Sequence, residues 1–187
     1  MLQVPACKKI TCPLRFPTVS CLAIASDQIQ CRIDAPSLSR LIFHPPVVGA
    51  GALLHALSMY GGHLTTLEIN NFHLHDLKTI TTYCPNLKHI ILGTRCWSFF
   101  PEGVQLLSSI THLGISFDEM LPRSLDFALF FTRLSSMHAP GLVVLRLISN
   151  HPHLHDYCTR FPRLAYGLKS LRLAGFHLED RDGCAFT

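Results

Sequence analysis

Several clusters in the 187-residue chain carry side chains capable of chemistry. The densest is His151-Pro152-His153-Leu154-His155-Asp156, echoed by His73-x-His75-Asp76. Imidazoles and carboxylates are ligands for zinc and similar ions. A metal centre, however, needs three or four ligands converging on one point with a second shell behind them. Alternating histidines running into a helix diverge. The stronger reading of both clusters is a polar loop leading into a helix, with the Asp as its cap. A metal-binding protein built on these histidines stands as a weaker alternative.

Eight cysteines lie at positions 7, 12, 21, 31, 84, 96, 158 and 184. No two are spaced as the tight pair of a zinc site; Cys21 falls on a predicted strand, and Cys31, Cys84 and Cys158 read as small buried apolar side chains. Asp118-Glu119 and Glu179-Asp180 are sequence neighbours whose side chains part on any regular element. Gly49-Ala50-Gly51-Ala52 resembles a phosphate cradle, yet the third glycine and the lysine are missing. No HExxH, GxSxG or phosphate-loop pattern occurs. The expectation is a protein that is not an enzyme and has no cofactor.

The composition narrows the class. Hydrophobic residues make up 48% of the chain and charged ones 15%, against about 25% charged in an average globular chain. Such a chain must bury most of its apolar surface. The net charge of +4 is spread out, without the basic stripe of a nucleic-acid binder. No apolar run is long enough for a membrane helix. The opening MLQVPACKKITCPLRFP does not read as a secretory signal. These features lead us to expect a cytoplasmic or nuclear location, with no nucleic-acid or membrane partner.

What must position any functional side chain is a repeat. The phrase apolar-x-x-apolar-x-apolar begins at Val19, Leu38, Leu64, Leu87, Ile110, Leu142 and Leu168. Most intervals fall within roughly 20–29 residues, the period of leucine-rich repeats. The longer interval before Leu142 calls for an inserted helix near residues 121–137. Alternation within a phrase puts pairs such as Leu67 and Ile69 on one face of a short strand. Between phrases, Ala50 to Tyr60 carries Leu53, Leu54 and Leu57 and stops at Gly61-Gly62. After Asp76, read as an N-cap, Leu77, Ile80 and Cys84 recur with helical spacing. Pro85 ends that helix. One such unit cannot bury its apolar face alone, but stacked units can. The expected fold is therefore an α/β leucine-rich-repeat solenoid of about six or seven irregular repeats. Strands form its concave face and helices its convex face, within one domain over residues 18–187. Residues 1–17 read as either a disordered remnant or a poorly matched opening repeat.

The Cys84-Pro85-Asn86-Leu87 turn before a phrase, with Ala35-Pro36-Ser37-Leu38 and Ala139-Pro140-Gly141-Leu142, resembles the repeats of fungal-type F-box leucine-rich-repeat proteins. The resemblance spans roughly residues 19 to 180. It implies a scaffold like the substrate-recognition region of a ubiquitin-ligase receptor. No F-box-like segment precedes the repeats, so binding of the ligase adaptor is not expected. A truncated or degenerate repeat fragment is the alternative. The expected partner is an unidentified protein gripped by Arg40, Ile42, Thr66, Glu68, Asn70, His89, Ile91, His112, Ser116, Arg146 and Arg172. These residues flank the inward positions and mix basic, polar and aliphatic groups as recognition surfaces do.

Overall fold

A computed structural model describes residues 2–4, 14–24, 33–44, 50–70, 74–94, 105–117, 133, 136–148 and 175–179. They form an α/β fold of short parallel strands. The chain falls into two compact units, Met1–Lys88 and His89–Thr187, where the sequence predicts one domain over 18–187.

In the first unit, β1 (Leu2–Val4), β3 (Cys21–Ile24), β5 (Arg40–Phe43) and β6 (Thr66–Ile69) pair side by side in chain order. A separate pair joins β2 (Leu14–Arg15) to β4 (Ile33–Asp34), tied at its exposed edge by an Arg15–Asp34 ion pair of 3.1 Å. Residues 1–17 thus contribute two short strands. The second unit pairs β7 (His89–Thr94), β8 (His112–Phe117), β9 (Val144–Ile148) and β10 (Gly175–Glu179), again parallel and in chain order.

The repeated phrase accounts for the core. Its last two apolar positions are buried wherever they are described: Leu22 and Ile24, Leu41 and Phe43, Leu67 and Ile69, Ile90 and Leu92, Leu113 and Ile115, Leu145 and Leu147. The first position is buried as well from Leu38 through Leu64, Leu87 and Ile110 to Leu142, while Val19 is half-buried. Period-two alternation sends the intervening residues to the other face.

Each described phrase is set in place by the same backbone device. Its first N–H bonds the carbonyl three residues back, as in Val19 to Phe16, Leu38 to Ala35, Leu64 to Gly61, Leu87 to Cys84, Ile110 to Leu107 and Leu142 to Ala139, at 3.0–3.2 Å. Proline at the second turn position, as in Pro17, Pro36, Pro85 and Pro140, fixes the φ such turns need. The residue just before a phrase then reaches back to the preceding turn. Ser37 Oγ donates to the Pro17 carbonyl at 2.7 Å, and Asn86 Nδ2 to that of Gly62 at 2.9 Å. At the equivalent place Gly141 lies so close to the Ser108 carbonyl that a Cβ would collide with it.

Among the described residues, two helices follow strands in the first unit. α1 (Ala50–Tyr60) spans the residues predicted for it, burying Leu53, Ala56, Leu57 and Tyr60 and exposing Leu54. The Tyr60 hydroxyl accepts a bond from the buried Ile33 N–H at 3.2 Å, satisfying an otherwise costly donor. A 3-10 turn, Gly61–His63, continues the chain. Glycine is needed at 61 for room: a Cβ there would sit 2.5 Å from the Tyr83 carbonyl oxygen at the end of α2.

α2 (Leu74–Tyr83) begins earlier than predicted. Asp76 is therefore in its first turn and not at the cap, because the helical backbone starts two residues before it. Leu77, Ile80 and the following Cys84 are buried as the helical spacing requires. The helix predicted near 121–137 lies outside the described residues, apart from a few at its end. Among the described residues no helix is long and apolar enough to cross a membrane.

The phrase Leu168-x-x-Leu171-x-Leu173 lies outside the described residues. The strand that pairs with β9 is Gly175–Glu179, with Phe176 opposite Leu145 and Leu178 opposite Leu147. Gly175-Phe176-His177-Leu178 alternates as the phrases do, and pairing with β9 places it on the ladder.

Candidate protein-binding face

In the first unit the residues that alternate with the core line up in rows across the strands. Cys21, Arg40 and Thr66 form one row, and Ala23, Ile42 and Glu68 the next. Arg40 is exposed, whereas Ile42, Thr66 and Glu68 are half-buried. Four of the predicted residues thus share a face. Asn70, just past β6, is exposed and anchored through its N–H to the Phe43 carbonyl at 2.9 Å.

Glu68 is the electrostatic centre of this face. One carboxylate oxygen lies 3.1 Å from His44 Nε2 and the other 3.3 Å from an Arg40 guanidinium nitrogen. The His44 hydrogen bond holds the Glu68 carboxyl below its ordinary range, against the opposing push of burial, and the His44 and Arg40 charges add to it. His44 is absent from the predicted set. It stands one residue past β5, and its N–H continues the ladder to the Ile24 carbonyl at 2.8 Å. Extending the alternation from Arg40 through Ile42 by one step would have found it.

In the second unit the rows are His89, His112, Val144 and Gly175, then Ile91, Gly114, Arg146 and His177, then Gly93, Ser116, Ile148 and Glu179. All five predicted residues here fall in these rows: His89 is exposed, while Ile91, His112, Ser116 and Arg146 are half-buried. The His89 and His112 rings stack with centroids 4.2 Å apart and planes 19° from parallel. The Thr111 hydroxyl lies 2.8 Å from His112 Nδ1. Gly114 leaves room for its neighbour, since a Cβ at 114 would come within 3.0 Å of the Ile91 side chain. Arg172 lies outside the described residues. The residue opposite Arg146 on β10 is His177.

Among the described residues no three His, Cys, Asp or Glu side chains gather as a metal site. His151–Asp156 and His73 lie outside the described residues. Burial pushes the Cys84 thiol up to about 12, so it is not a nucleophile at neutral pH. What these faces can do is hydrogen-bond, pair charges and stack against planar groups. Compared with protein-family models, with curated proteins and with solved structures, the chain gives no match.

Proposed function

We propose that the chain is a leucine-rich-repeat protein whose outward strand faces grip another polypeptide, a non-catalytic scaffold similar to the substrate-recognition region of an F-box receptor. The observation that carries this reading is the row arrangement. Successive phrases deliver one outward residue each to the same row, so Arg40 and Thr66, or His89 and His112, are neighbours in space though far apart in sequence. Rows of mixed charge, hydroxyl, imidazole and aliphatic groups on strands fixed by a packed core present a preformed surface. Such a surface loses little entropy on binding.

The test uses the whole chain as bait, with and without Glu68→Ala and Arg146→Ala. Both residues lie off the core, so circular dichroism and melting should be close to those of the original protein. Loss of a reproducible, direct polypeptide partner from the doubly substituted protein is the expected result. Undiminished recovery of that partner would remove these faces as the binding surface.

A further inference from the structure

We draw no further inference here: the strongest candidate, the Arg40–His44–Glu68 side-chain cluster on the outward face beside β5 and β6, belongs to the site already described, with its carboxylate already engaged by the other two side chains.

Discussion

The Arg40 guanidinium reaches diagonally from β5 to Glu68 on the neighbouring β6, 3.3 Å away, although the ladder sets Arg40 opposite Thr66. The diagonal forms because two cationic candidates reach one carboxylate, Arg40 from β5 and His44 from just past its end. Arg40 is 47% exposed and Glu68 23%, so water screens the pair and its share of stability is small. Its consequence is positional: the carboxylate is held in one orientation on the face, between Arg40 and His44.

Glu68→Gln should therefore lower stability at pH 7 by about 1 kcal/mol or less. The folded-state carboxyl value is lowered from the ordinary 4.5. The carboxylate's contribution is thus fully present above the unfolded value and is lost as pH falls below 4.5 through the lower folded value. Urea unfolding of both proteins at neutral pH and near pH 3 checks this. The gap between them should close in acid, and a gap that widens there would contradict the assigned pairing.

Replacing core positions of the phrase should cost much more. Leu41→Ala and Leu67→Ala each remove a fully buried side chain, for an expected loss of about 2–5 kcal/mol. Thr66→Ala, on the opposite side of the same strand, should fall within about 0.5 kcal/mol of the original. Denaturant midpoints for the three variants give the comparison directly.

The glycines divide by the space around them. Gly61→Ala places a methyl against the Tyr83 carbonyl, and should destabilise by about 1–3 kcal/mol as the backbone is pushed aside. Gly141→Ala meets the Ser108 carbonyl and should behave alike. Gly51→Ala, in α1 with open space around it, should instead stabilise by up to about 1 kcal/mol through better helix propensity. Melting curves that ranked Gly51→Ala with the other two would count against the described packing.

The Cys84 thiol is buried, with its pKa near 12. Under native conditions at pH 7.5 it should resist iodoacetamide, and it should label at the ordinary rate once the chain is unfolded. Peptide mapping after brief labelling distinguishes it from the other seven cysteines. Rapid native labelling at Cys84 would show that the end of α2 is open.

Much of the strand framework could be read directly from the sequence because the chemistry that builds it is local. Leu41 and Phe43, or Leu113 and Ile115, declare their inward face by alternation. Turns such as Cys84-Pro85-Asn86-Leu87 punctuate where each strand starts. α1 was equally plain, bounded by glycines and carrying a clean apolar stripe.

What local pattern could not supply was register and reach. Phe176-x-Leu178 alternates like the phrases without belonging to one, and only its pairing with β9 shows it to be a strand. β1 holds only three residues, too few to show a period. His44 lies past its phrase, so its tie to Glu68 follows from the ladder continuing beyond the apolar residues. Gly61 invited reading as a helix stop, whereas its requirement is set by Tyr83, a residue brought near only by folding.

The most direct test of the central claim, that the outward strand faces are what grip a partner, is site-specific photo-cross-linking. A photoreactive amino acid is placed singly at Ile42, at Ile91 and at the exposed Leu54 of α1. The account predicts adducts with one polypeptide from positions 42 and 91, and none from 54. Adducts formed equally well from position 54, or only from there, would contradict it.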